Sequence, residues 1–168
     1  MRNCVLASLV LVFATSLSAC ASLRQNVRGQ ELSYRGAWHC ASGSCKAGEM
    51  VKSMVGTRDG EVMVNTVKLD PKTGLAFTAA AAFDSLTAKV RDCKGNAVDV
   101  PAKDIVMPGE HGITDGDASE SWIVWVDPSS LGGLERGKGA CAVWKVEATA
   151  TWSDGATYSL TAGVNTGG

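Results

Sequence analysis

The sequence is short of net charge, of histidine and of long apolar runs, and each shortage excludes something. Its 168 residues carry 16 Lys and Arg against 17 Asp and Glu, a formal net charge of −1. A nucleic-acid binder presents a basic face, so mixed and nearly balanced charge argues against nucleic acid as a partner. The only histidines are His39 and His111, and neither GxSxG nor HExxH accompanies them. A catalytic base needs a nucleophile or a carboxylate within hydrogen-bond reach. The inventory therefore points away from an enzyme and calls for no cofactor. The one long apolar run, Val5 to Leu17, is interrupted only by Ser8, Thr15 and Ser16. It falls short of the ~20 residues that cross a bilayer, and no later run is long enough either.

What is present begins with that run. It follows the positive segment Met1-Arg2-Asn3 and has the length and flanks of a secretory apolar region. It ends in Leu17-Ser18-Ala19-Cys20, which resembles the lipobox of bacterial lipoproteins. The resemblance implies that Cys20 receives a diacylglyceryl group and becomes an acylated N-terminus once residues 1–19 are cleaved. Each buried acyl methylene contributes ~0.8 kcal/mol, and more than one chain makes the anchoring stable. Ala21, rather than Asp, follows the cysteine; in that family this favours the outer membrane. The expected organisation is a cleaved signal peptide (1–19), a lipidated N-terminus with a short polar tether (20–31) and one domain (32–168). The ten polar residues Ala21 to Gln30 reach at most ~35 Å, which keeps the domain near the membrane surface.

Cys4 lies in the cleaved peptide, which leaves Cys40, Cys45, Cys93 and Cys141. An even number in an exported chain reads as two disulfides. Three pairings are open; Cys40–Cys45 with Cys93–Cys141 is favoured because the first pair closes a small loop. A zinc site is disfavoured. The spacing is not that of paired CxxC knuckles, and His39 and Cys40 point oppositely in a strand.

Alternation dominates the rest. Leu32, Tyr34, Trp38 and Cys40 share one face of an expected strand. Lys46 to Val55 is ambiguous, with Met50 and Met54 at the i, i+4 spacing of a short helix. Val62–Leu69 and Leu75–Phe83 flank Asp70-Pro71-Lys72-Thr73-Gly74, a turn sequence, and read as a hairpin pairing Leu69 with Leu75 and Val67 with Phe77. Ala79 to Ala82 raise a helix alternative, rejected because the odd positions keep the period of two. The phase slips at Asp84-Ser85, after which Leu86, Ala88 and Val90 are the apolar set, so a turn or bulge is expected there. Cys93-Lys94-Gly95-Asn96 is a turn, and Ile105-Val106 fits a short edge strand. Trp122 to Val126 is apolar on both faces, as in a buried strand. In the last hairpin a three-residue loop, Ser153 to Gly155, pairs Ala150 with Tyr158 and Ala148 with Leu160. That requires Gly155 in the left-handed region and a bulge.

About seven short strands with regular turns give an all-β class, an antiparallel β-sandwich stapled by two disulfides. The stretch from Leu86 to Val98, with Asp92-Cys-Lys-Gly95-Asn96 at its turn, resembles the strand–turn–strand of bacterial immunoglobulin-like domains, as does the C-terminal hairpin. The resemblance implies an immunoglobulin-like sandwich. Cys93 and Cys141 lie on polar phases, so their bond is expected at strand ends rather than in the core.

Few residues suggest chemistry. His111 reads as an exposed loop histidine. Asp115-Gly116-Asp117-Ala118-Ser119-Glu120 is a weak calcium candidate through Asp115 and Asp117; an EF-hand needs Gly at position six and an acid at twelve, where Glu120 and Val126 stand. Trp38, Trp144 and Trp152 sit in core phase. Trp122 and Trp125 fall on opposite faces of their strand, which makes Trp125 the candidate binding indole. The expected function is non-enzymatic: a lipid-anchored envelope protein that binds a protein partner in a surface or secretion assembly. A glycan-binding module using exposed Trp and Asp is the alternative.

Overall fold

The computed structural model describes residues 29–41 and 44–167. The strands are β1 (Ser33–Ala41), β2 (Ser44–Ala47), β3 (Met50–Thr57), β4 (Gly60–Lys68), β5 (Thr73–Thr78), β6 (Ser85–Arg91), β7 (Ala97–Asp99), β8 (Ile105–Val106), β9 (Trp122–Val126), β10 (Val143–Thr151) and β11 (Thr157–Asn165). They form a five-stranded sheet, β2-β1-β5-β9-β8, and a six-stranded sheet, β3-β4-β11-β10-β6-β7. Pairing is antiparallel except where β4 meets β11 in parallel, Val67 beside Val164. The order β1-β5-β9-β8 facing β11-β10-β6-β7 is the ABED and GFCC′ arrangement of the immunoglobulin fold. The chain is therefore an immunoglobulin-like β-sandwich. Among the described residues there are eleven strands rather than about seven, because β2, β3 and most of β4 form an excursion between the first strand and the rest.

The core lies between the sheets, and the alternation explains which residues fill it. Val146, Ala148 and Ala150 of β10 are fully buried, as is Val90 of β6, with Leu86 and Ala88 nearly so. Fully burying a Val or Leu side chain contributes ~1.5–3 kcal/mol. A one-residue slip would turn this whole set outward, so the register is strongly specified. Ala150 faces Tyr158 and Ala148 faces Leu160, as the three-residue loop requires. Gly155 has φ 80°, and the Trp152 N–H donates to the Ala156 carbonyl across the loop.

Four expectations of local structure are corrected. Val62–Leu69 and Leu75–Phe83 do not form a hairpin, because β4 and β5 belong to opposite sheets. Thr73 through Phe77 is buried at every position. Such a strand needs cover on both faces and partners on both edges, and β5 finds them between β1 and β9. Asp70-Pro71 crosses between sheets, and Val67 and Phe77 join the same core from opposite sides. Likewise β5 ends at Thr78, and the alanine stretch carries the chain back to the other sheet, which causes the phase slip before Leu86. The ambiguous Lys46–Val55 stretch holds two strands, not a helix. Finally, Trp38 and Cys40 do not share a face with Leu32 and Tyr34. The β1–β5 register shifts between Tyr34 and Gly36, where Gly36 has φ 141°. This bulge sends Leu32, Tyr34 and Ala37 to the main core and Trp38 and Cys40 to the other face.

That other face has a small core of its own. Trp38, Ala76, Ile123 and Trp125 cluster on the outside of the five-stranded sheet, beneath Ile113 and Ala118 of the β8–β9 connection.

Candidate functional site

The excursion that departs from the seven-strand frame is also where apolar surface is left uncovered. The two-residue turn Arg58-Asp59 joins β3 to β4, with the Thr57 hydroxyl donating to the Gly60 carbonyl at 2.7 Å. Side chains alternate along both strands. One face is tied down: the Ser53 and Thr66 hydroxyls are 2.8 Å apart, and the Asn165 side-chain amide donates to Ser53. Val55, on that face, is 9% exposed. Met50, Met54 and Met63 occupy the opposite face, Met54 directly beside Met63. Met50 is 56% and Met63 58% exposed, while Val62, which pairs with Val55 on the other face, is 45% exposed. Clustered exposed apolar side chains rimmed by charge mark interaction surfaces, and methionine suits them because its flexible, polarisable chain adapts to a partner. Lys52 and its cross-strand neighbour Asn65 stand between Met50 and the Met54–Met63 pair, Glu61 lies beyond that pair toward the turn, and the Glu49–Lys68 ion pair, 3.5 Å, flanks the opposite end.

A second feature is a cleft of ≈ 540 Å³ where β6 and β7 diverge from β8 and β9. Leu86, Val100, Ile105 and Trp122 form its apolar wall, and Thr87 and Asp99 stand at its mouth. Trp122 stacks on Phe83 at 5.4 Å between ring centres, which fixes the indole plane. Phe83 meets Trp152 edge-on at 5.7 Å.

The tryptophans are distributed otherwise than expected. Trp125 does face away from the main core, but it is only 9% exposed, packed in the outer cluster. It is not an exposed platform; Trp122 is the half-buried indole. Sequence reasoning singled out Trp125 rather than Trp122, because alternation says only that the two indoles face opposite ways, and the divergence of the two sheets is what opens space beside Trp122. Trp144 and Trp152 are core residues whose indole N–H groups donate to the Glu135 and Ala81 carbonyls at 2.8 and 3.0 Å. Trp38 is buried too, in the outer cluster rather than the main core.

The remaining candidates have structural roles. Cys40 bonds to Cys45, closing the β1–β2 hairpin, and Cys93 bonds to Cys141. The second bond joins the β6–β7 turn to the 3-10 turn before β10, outside the core as the polar phases imply. His39 is buried, its Nδ1 3.3 Å from the Thr73 hydroxyl. His111 braces the connection over the outer cluster rather than hanging free. Its Nδ1 accepts the Ile113 N–H at 3.1 Å, so Nε2 carries the proton and donates to the Ser121 carbonyl at 3.0 Å. Asp115 is exposed and precedes the helical turn Gly116–Ser119; the side chain of Asp117 lies outside the description. Among the described residues no group of three or more His, Cys, Asp or Glu side chains is placed to hold a metal ion. Cys20 and the lipobox lie outside the described residues.

One carboxylate is held unusually firmly. Asp92 accepts the backbone N–H of Glu135 at 3.0 Å, both N–H groups of Asn96 at 2.9 and 2.8 Å, and the Lys94 N–H at 2.9 Å. The Glu135 N–H is the leading cause that lowers its pKa below the ordinary carboxylate value, assisted by the bonds from Asn96 and Lys94. The arrangement shapes the turn beside the Cys93–Cys141 bond.

No protein-family model, curated protein or solved structure matches the chain. The class of the protein accordingly rests on the strand order, which is that of an immunoglobulin-like sandwich.

Proposed function

We propose that this chain is a non-enzymatic lipoprotein of the cell envelope, held by acyl groups on Cys20 at the outer membrane. It acts by binding another envelope protein, as a subunit or accessory of a surface or secretion assembly. The observation that carries the reading is the exposed methionine face of the β3–β4 hairpin. A glycan reader would offer a row of exposed aromatic rings, whereas four of the five indoles here are buried. Near-balanced charge fits a surface that recognises shape and apolar contact rather than a polyanion.

The test is affinity isolation of the lipidated protein from gently solubilised envelopes, comparing wild type with the Met50→Ser/Met63→Ser double variant. Exposed positions of this kind change stability by no more than about 0.5 kcal/mol each, so the variant remains folded. A stoichiometric protein partner present with wild type and depleted with the variant is expected. Recovery of no protein, or equal recovery with both, would overturn the hairpin reading and turn attention to glycans. The anchor is tested separately: Cys20→Ser should move the protein out of the membrane fraction and abolish labelling by radioactive palmitate.

A further inference from the structure

We propose that the open edge of β6 is a strand-addition site for an extended peptide bearing one large apolar side chain next to a basic one. The proposal rests on the protein-partner reading and adds a second, separate site to it.

The backbone directions follow from the register. Trp152 donates its N–H to Ala156, on the β11 side of the hairpin. Backbone groups alternate sides along a strand, so those of Ala150 and Ala148 also point to β11, while those of Thr151 and Thr149 point to β6. Leu86 lies opposite Ala150 and Ala88 opposite Ala148. The backbone groups of Leu86 and Ala88 therefore point away from β10. Ala88 agrees, since its carbonyl accepts the Val100 N–H at 2.8 Å on the far side. There the ladder stops. β7 pairs only with Lys89, Val90 and Arg91, and Pro101, which has no N–H, turns the chain into the 3-10 turn Ala102–Asp104 and across to the other sheet. The N–H and C=O of Leu86 are left facing the cleft, with no strand of the described residues beside them.

An unpaired sheet edge next to an apolar hole is the arrangement that binds peptides by β-augmentation: main-chain bonds supply affinity and the hole selects a side chain. The cleft volume of ≈ 540 Å³ falls within the usual ~300–1,000 Å³ of ligand sites. A strand lying one spacing, ~4.8 Å, from β6 would direct every second side chain between the sheets toward Ile105 and Trp122. The Phe83 ring behind Trp122 holds that wall in place. Charge selects further. Asp99 is the one charged residue on the lining, its side chain is 82% exposed, and among the described residues it pairs with Lys89 at 3.4 Å. A carboxylate at the mouth of an apolar cleft favours a Lys or Arg beside the inserted residue.

The test is selection of linear random peptides displayed on phage against the lipidated full chain, followed by synthesis of an enriched peptide. Enriched sequences should pair a large apolar residue with a neighbouring Lys or Arg. The bound peptide should slow amide hydrogen exchange at Leu86, a signature that apolar contact alone does not give. Ala102→Trp, which adds an indole at the exposed rim, should weaken binding ~10-fold or more. Asp99→Lys, at an exposed position outside the core, should select against basic peptides and serves if the first variant folds poorly. The proposal is overturned if no peptide is enriched, if Leu86 exchange is unchanged on binding, or if both variants bind as wild type does. The peptide selection reads the cleft and the envelope isolation reads the hairpin, so either site can fail without the other.

Discussion

The Lys72 ammonium stands 5.0 Å from the centre of the Trp125 ring, closing one side of the outer cluster. The same ammonium is 3.5 Å from a carboxylate oxygen of Asp104, which is 5% exposed and also accepts the Ser130 hydroxyl at 2.8 Å. One cation from the sheet-crossing loop thus covers an indole and neutralises a buried acid.

Lys72→Ala should therefore destabilise the fold by about 1–2 kcal/mol. The value is less than a fully buried pair would lose, since the lysine side chain is 39% exposed. Urea unfolding gives the energy, and a red-shifted tryptophan emission would report Trp125 gaining water. Lys72→Arg should keep most of the stability. A silent Lys72→Ala would mean the contact over Trp125 contributes nothing.

Gly74 lies on β5 beneath the same indole. A Cβ there would come within 2.8 Å of both the Ile123 Cγ2 and the Trp125 ring. Gly74→Ala should cost about 1–3 kcal/mol by overpacking. Gly132→Ala, with nothing within 4 Å, should leave the melting temperature nearly unchanged and serves as the control.

The two disulfides should differ in weight. Their sequence separations are 5 for Cys40–Cys45 and 48 for Cys93–Cys141. Chain-entropy reasoning assigns about 2 kcal/mol to the short loop and about 4 kcal/mol to the long one. Replacing Cys93 and Cys141 by Ser should lower the melting temperature more than replacing Cys40 and Cys45. The reverse order would show that the short bond holds β2, and with it the excursion, in place.

Two groups set opposite pH responses. The pKa of Asp92 is lower folded than unfolded, first because of the Glu135 N–H. Its contribution is present above the unfolded carboxylate pKa and is lost as pH falls through the folded one. Burial pushes the Tyr34 phenol up to about 12. Its contribution is complete below the ordinary phenol value near 10 and is lost as pH rises toward 12. Asp92→Asn should flatten the acid limb of a stability–pH curve, and Tyr34→Phe should remove a late phase from the alkaline absorbance titration. Unchanged curves would refute either assignment.

Much of the sandwich could be read without coordinates because period-two patterning is local. The β10–β11 register followed from the count of loop residues and the position of Gly155, and Leu86, Ala88 and Val90 followed from alternation alone. The disulfide pairing was consistent with spacing, and the peripheral position of Cys93–Cys141 with phase. The β4–β5 relation was not legible, because apolar residues that pair across a strand and those that meet across a core produce the same alternation. Only the complete burial of Thr73 through Phe77 separates the two cases, and it arises from elements distant in sequence.

The same division runs through the candidate sites. Methionines at positions 50, 54 and 63 are visible in the chain, but their exposure depends on β3 and β4 packing their other face. Alternation put Trp122 and Trp125 on opposite faces of their strand; that Trp125 is the one facing away from the main core, and that water barely reaches it, was decided by packing with Ile113, Ala118 and Lys72, none of them its neighbours in sequence. Nothing in the phase marked Trp122, and the cleft beside it exists because Pro101 ends the ladder where the two sheets part. Sequence by itself determined the inward faces of β6, β10 and β11 and the turn at Ser153 to Gly155, which depend on residues a few positions apart. Tertiary structure decided which sheet each strand joins and which apolar surface stays open, because those depend on what remains uncovered when every other strand has found its partner.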